Sequence, residues 1–180
     1  MDEQHAIQRL KQGDIGGLEV LVNRYQTRAA RTAYLIVGDP ALAEDIAQEA
    51  FLRVFRSIAG FDAGRPFEAW FLRIVVNLAL KTAQKSTRQT TPGEEALDEL
   101  LADIETVETQ VEFNERKRQL WDAMQKLSPR QRAVIVQKYY LGMNESDMAR
   151  EADSATGTIR WLLHTARRRL RRWLKERDEE

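Results

Sequence analysis

Residues 127–174 read LSPRQRAVIVQKYYLGMNESDMAREADSATGTIRWLLHTARRRLRRWL. Ser128-Pro129-Arg130-Gln131 opens a helix: an N-cap, a proline at the first helical position, and a glutamine placed for a capping box. That helix carries Ala133, Val134, Val136, Tyr139 and Tyr140 and ends at Gly142. Asn144 caps a short helix from Glu145 to about Ala152, with Asp147 at its third position. Asp153 or Ser154 caps the last helix, which runs to about Lys175. A short helix and a long one meeting at a tight polar turn make the helix-turn-helix layout.

In that layout the N-terminal part of the second helix enters the major groove. Here it reads Ser154-Ala155-Thr156-Gly157-Thr158-Ile159-Arg160-Trp161. Hydroxyls bond phosphates or bases, and Arg160 reaches a guanine edge with two parallel bonds. Arg167, Arg168, Arg169, Arg171 and Arg172 suit phosphate contact, which gives affinity without sequence information. Ser154 to Lys175 holds seven Lys/Arg and no acid. The plainer reading is a solvated basic face. Beside this turn, so long a run without an acid favours DNA.

Upstream the charge reverses. PGEEALDELLADIETVETQVEFNE, residues 92–115, holds nine carboxylates and no Lys or Arg. Before it, Arg65 to Arg88 holds five Arg/Lys against the single Glu68. The formal net charge of zero therefore averages a basic–acidic–basic arrangement. Distribution, more than net charge, marks nucleic-acid contact. Composition divides the chain into 1–88, an acidic linker 89–111 with a weak helix from about Glu95 to Glu105, and 112–180.

No stretch alternates like a strand, so the fold class is all-α: two small helical domains joined by the acidic linker, the C-terminal one a helix-turn-helix. In the first domain the pattern predicts helices from about Glu3 to Gln12 and from Gly16 to about Gly38, the second with Asp14 as its cap. Gly38-Asp39-Pro40 reads as stop, N-cap and first-turn proline. The next helix, about Ala41 to Ala59, buries Leu42, Ile46, Ala47, Phe51, Val54, Phe55 and Ile58. Its other face carries Glu44, Asp45, Gln48, Glu49, Arg53 and Arg56, most simply a solvated face. A glycine-bearing loop, Gly60 to Pro66, leads to a helix from about Phe67 to Lys85. On it Arg73, Asn77, Lys81 and Lys85 form one row. Cations and amides near Phe61, Phe67 and Trp70 suit single-stranded nucleic acid, unless the rings are simply core.

Several classes are set aside. The 180 residues include no cysteine and only His5 and His164, so no disulfide framework and no metal site is expected. No apolar run spans a bilayer and the polar N-terminus is no signal peptide, so no membrane contact and a cytoplasmic location are expected. No cofactor fingerprint or catalytic constellation is present, and no enzyme is expected.

Three blocks, DPALAEDIAQEAFLRVFRSIAGF, RPFEAWFLRIVVNLALK and the stretch quoted first, closely resemble bacterial sigma-70 factors of the extracytoplasmic-function (ECF) group. The resemblance covers about Gly16–Arg88 and Glu112–Leu174, in order. It implies a transcription initiation factor without catalysis of its own, whose partners are core RNA polymerase, through its largest subunits, and promoter DNA. Asp45, Gln48, Glu49, Leu52, Arg53 and Arg56 match the family's segment that docks on polymerase clamp helices. Phe61, Arg65, Phe67, Trp70, Arg73, Asn77 and Lys81 match the segment that melts DNA and captures an unstacked −10 base. Ser154, Thr156, Thr158, Arg160, Trp161, His164, Arg167 and Arg168 match the reader of the duplex −35 element. The linker matches a segment that threads toward the polymerase active site. Many relatives are held by an anti-sigma factor, so one, or another regulator, joins the partner set.

The last block departs from the family. Ala152 and Asp153 stand where a hydrophobic residue and glycine are usual, Trp161 and Leu162 where Ser and Arg are frequent, and Thr165 where Arg is frequent. The alternatives are a helix-turn-helix regulator acting without polymerase, and a helical adaptor on a sigma-like scaffold.

Overall fold

The computed structural model describes residues 2–85 and 110–178. The acidic segment and its expected weak helix lie outside the described residues, apart from Gln110 and Val111, which already belong to a helix. Two compact units divide the chain, Met1–Arg88 and Gln89–Glu180. Among the described residues there is no strand.

The first unit holds α1 (Glu3–Lys11), α2 (Gly16–Val37), α3 (Pro40–Ser57), a 3-10 turn (Ile58–Gly60) and α4 (Phe67–Lys85). Helix α2 is central and packs on α1, α3 and α4. Local chemistry sets the joints. Gly38, at φ 78°, ends α2 in the left-handed region. Asp39 accepts the Leu42 amide at 3.0 Å, and Pro40 starts α3 with φ already set. Asp14 is no N-cap: α2 begins after Ile15, and the Asp14 carboxylate takes the Gly16 amide at 2.9 Å. Its other partner is Arg9 of α1, at 2.6 Å. Arg9, and then the Gly16 amide, hold the Asp14 carboxyl below the usual carboxylate range.

Helices α1 and α2 meet at Gly17, where an added Cβ would stand 2.3 Å from the Ala6 carbonyl oxygen. Tyr25 fastens the same pair by donating to the Glu3 carboxylate. Behind it the core is aromatic. Phe51 stacks on Phe71 at 4.6 Å between centroids, Phe71 lies 5.8 Å from Phe67, and Phe67 meets Phe61 edge-on at 5.7 Å. Each such ring stabilises the fold by about 1.5–3 kcal/mol through burial. Two expected core residues of α3 are not in it: Leu42 is half-buried and Phe55 is 41% exposed. Ala43, Ala50 and Val54 complete the seam, and Phe55 points about 100° beyond Val54 around the helix.

The second unit holds α5 (Gln110–Gln125), α6 (Pro129–Ile135), a π turn (Val136–Tyr140), α7 (Glu145–Glu151) and α8 (Thr156–Asp178). Helix α8 packs on α5, α6 and α7 around Trp121, Met148, Ile159, Leu163 and Ala166. The capping box is complete, with Ser128 Oγ accepting the Gln131 amide at 3.3 Å and Gln131 Oε1 accepting the Ser128 amide at 3.2 Å. Asn144 Oδ1 likewise accepts the Asp147 amide at 2.8 Å.

Two expectations are corrected. The helix from Pro129 does not run unbroken to Gly142. Past Ile135 it widens, the Leu141 amide reaching Val136 O at 3.0 Å, and Tyr139 and Tyr140 are left exposed. The last helix starts later than the cap at Asp153 or Ser154. Both residues instead close α7: the Ser154 amide bonds Ala149 O at 2.9 Å and the Asp153 amide bonds Arg150 O at 3.4 Å. With Asp153 at φ 46° this is a Schellman closure.

Candidate nucleic-acid and protein interfaces

On α3, Asp45, Gln48, Leu52, Arg53 and Arg56 are exposed and Glu49 is half-buried. The Arg53 Nε donates to Glu49 Oε1 at 3.1 Å, one turn apart, which orders the middle of the row. Leu52 is 48% exposed and Phe55 stands beside it. Sequence reasoning missed Phe55 because it was assigned to the core; its position three residues after Leu52 is the signal that places it here.

On α4, Arg73, Asn77 and Lys81 are all exposed on one row, with half-buried Trp70 at its head. Phe61 and Phe67 do not join them at the surface. They are 4% and 1% exposed, and rings so buried offer no face to a base. They act as the floor instead, Phe61 lying 4.7 Å and Phe67 5.7 Å from the Trp70 ring. The loop between is ordered from within: Asp62 Oδ1 accepts the Gly64 amide at 2.9 Å and Asp62 O accepts the Arg65 amide at 3.0 Å. The Arg65 side chain is 80% exposed and only 3.6 Å from Asp62. Lys11 of α1, which the sequence did not mark, donates to the Phe61 carbonyl and sits 5.9 Å from the Phe61 ring centre.

The two surfaces meet in an open cleft of about 510 Å³, with Arg53, Arg56, Ser57 and Gly60 on one side and Trp70, Ile74 and Asn77 on the other. Residues assigned to separate partners in the sequence, Arg53 and Arg56 against Trp70 and Asn77, thus line one recess. Its size falls in the range of about 300–1,000 Å³ common for small-molecule sites. An indole edge, an aliphatic wall, an amide and two guanidinium groups suit a planar base attached to a phosphate chain.

In the second unit, Ile159, Leu163 and Ala166 turn α8 inward, so Thr158, Trp161, His164 and Arg168 point out. Ser154 and Thr156 are half-buried at the turn and Arg167 is exposed. Trp161 is 62% exposed at the centre of that face. Arg169, counted with the phosphate-contacting run, faces α6 and donates to Gln131 Oε1 at 3.0 Å. Arg160 crosses to α7, its Nε donating to Glu145 Oε2 at 2.8 Å. Among the described residues no group of His, Asp and Glu could hold a metal ion, and no helix is long and apolar enough to cross a membrane.

Comparison with known proteins gives matches to both units. Residues 21–89 match Sigma-70 region 2 and residues 117–170 match Sigma-70, region 4. The ECF RNA polymerase sigma factor SigW of Bacillus subtilis is 29% identical over 94% of this chain and 95% of its own. The ECF RNA polymerase sigma factor SigL of Mycobacterium tuberculosis is 33% identical over 81% of this chain and 82% of its own. Among solved structures, the sigma factor RpoE in complex with the anti-sigma factor NepR from Bartonella quintana shares the fold, with TM-score 0.61 and 18% identity over 87% of this chain and 96% of that one.

Proposed function

The chain belongs to the ECF group of sigma-70 family RNA polymerase sigma factors, and on that premise we propose how its surfaces divide the work. It is a transcription initiation factor that binds core RNA polymerase and directs promoter recognition and DNA melting. It is a factor without chemistry of its own, acting in the cytoplasm beside polymerase and chromosome.

The observation that carries the assignment within the first unit is the cleft between α3 and α4. One unstacked −10 base enters it, against Trp70 and Ile74, with its edge read by Asn77. Arg73 and Lys81 track the backbone of the same strand, and Arg65 guards the loop. The outer rows of α3, Asp45, Gln48, Glu49 and Leu52, with Phe55 added, dock on polymerase, while Arg53 and Arg56 stand between the two surfaces. In the second unit α8 enters the major groove of the −35 element, and the outward Lys/Arg beyond Arg160 hold phosphates. The acidic residues 92–115 follow the cationic channel of the polymerase.

The test uses holoenzyme on a promoter found by run-off transcription from a genomic library, with 2-aminopurine in the non-template −10 strand. Asn77→Ala and Lys81→Ala should lose the fluorescence rise of the opened base while still binding core polymerase in a pull-down. An unchanged signal in both sinks the cleft assignment. Failure of the wild-type chain to capture core polymerase would sink the docking assignment.

A further inference from the structure

The contact between Glu145 and Arg160 joins the two helices of the helix-turn-helix. Glu145 is the first residue of α7 and Arg160 lies in the second turn of α8. Arg160 is 70% and Glu145 28% exposed at the side chain, and exposed ion pairs contribute little to stability. Its geometry is more informative than its energy. The bond is made by Nε alone, at 2.8 Å. Among the described residues the two terminal amino groups of Arg160 donate to no protein group. A carboxylate that blocked Arg160 from DNA would occupy that fork. This one holds the guanidinium by its side edge and leaves the fork open.

The surroundings keep the carboxylate available for this. Its bond to Arg160 holds the Glu145 carboxyl below the usual range, and the charges of Lys138 on the π turn and Arg167 on α8 act in the same direction. Glu145 therefore stays ionised among three cations drawn from two elements around it. A guanidinium free to rotate about four side-chain bonds loses entropy when it docks on a base, and one already held loses less.

We propose that Glu145 is a positioning residue for promoter specificity, gripping Arg160 through Nε so that its terminal amino groups form a fixed fork for a guanine edge in the duplex −35 element. The inference rests on the assignment of α8 to the major groove. Arg160 then reads N7 and O6 of one guanine with two bonds, and Glu145 touches no DNA.

The experiment uses holoenzyme made with the full chain and a library of duplexes with a randomised −35 segment, bound fractions being sequenced. The best duplex is then remade with 7-deazaguanine, which lacks the N7 acceptor, at each guanine in turn. Wild type should lose about tenfold in affinity at one guanine. In Arg160→Ala that loss should shrink below about twofold, because no donor to N7 is left. In Glu145→Gln it should shrink likewise, while preferences at all other positions are retained, which shows that the helix is intact. If Glu145→Gln keeps the tenfold loss that Arg160→Ala removes, or only tightens binding to every duplex, the proposal is overturned and groove reading by Arg160 stands. If wild type prefers no base anywhere in the segment, the assignment of α8 to the groove falls with it.

Discussion

Asp153 holds the turn of the helix-turn-helix at φ 46°, where a side chain other than glycine crowds the next carbonyl. Short polar residues tolerate this better than branched ones. Asp153→Val should lower the stability of the second unit by about 1–2 kcal/mol, whereas Asp153→Gly should leave it level or raise it by up to about 1 kcal/mol. Urea midpoints of the two variants check this; equal shifts would contradict the left-handed assignment. A buried phenol sets a second expectation. Tyr34 is 1% exposed, and burial, with the Asp39 charge behind it, pushes its hydroxyl up to about 12. The unfolded phenol ionises near 10, so the folded state is favoured fully below that pH. That stability is lost as pH rises from 10 through about 12, with a slope of about 1.4 kcal/mol per pH unit. Tyr34→Phe should flatten this part of the curve, and urea midpoints between pH 9 and 12 measure it.

At the scale of elements, α1 lies against α2 so closely that Gly17→Ala puts a methyl into the Ala6 carbonyl. The helices must separate, at a cost of about 2–3 kcal/mol, visible as a lowered thermal midpoint with the second unit unaffected. Loosening α1 also withdraws Lys11 from the Phe61 carbonyl, so −10 probe opening should fall with it. The starts of α3, α6 and α7 were legible in Asp39-Pro40, in Ser128-Pro129-Gln131 and in Asn144-Asp147, because a cap and its partner lie within four residues. The start of α8 was not. Asp153 and Ser154 read as caps for α8, but their amides complete the end of α7, and composition does not say which way a turn faces. The π turn was hidden for a related reason, since Val136–Tyr140 has ordinary helical chemistry. The row on α4 followed from a four-residue period. Its partnership with Arg53 and Arg56 did not, because it depends on how α3 packs against α4.

For the molecule as a whole, zero net charge hides a division of labour by sign. On the proposed function, the outward arginines of α8 and the α4 row meet phosphate, while the nine carboxylates of residues 92–115 are repelled by DNA. Replacing those carboxylates by amides should reduce run-off transcription by about tenfold or more while leaving −35 duplex affinity in isolation within about twofold. Equal transcription from both chains would make the segment a spacer. The family was readable because three blocks recur in order; the recess in the first unit became visible only when the chain was folded. That recess has an optical consequence. Trp70 is the sole tryptophan of residues 1–88, the others being Trp121, Trp161 and Trp173. With those three changed to phenylalanine, the chain would emit from the rim of the cleft alone, and the arrival of a base could be followed as quenching on unlabelled DNA.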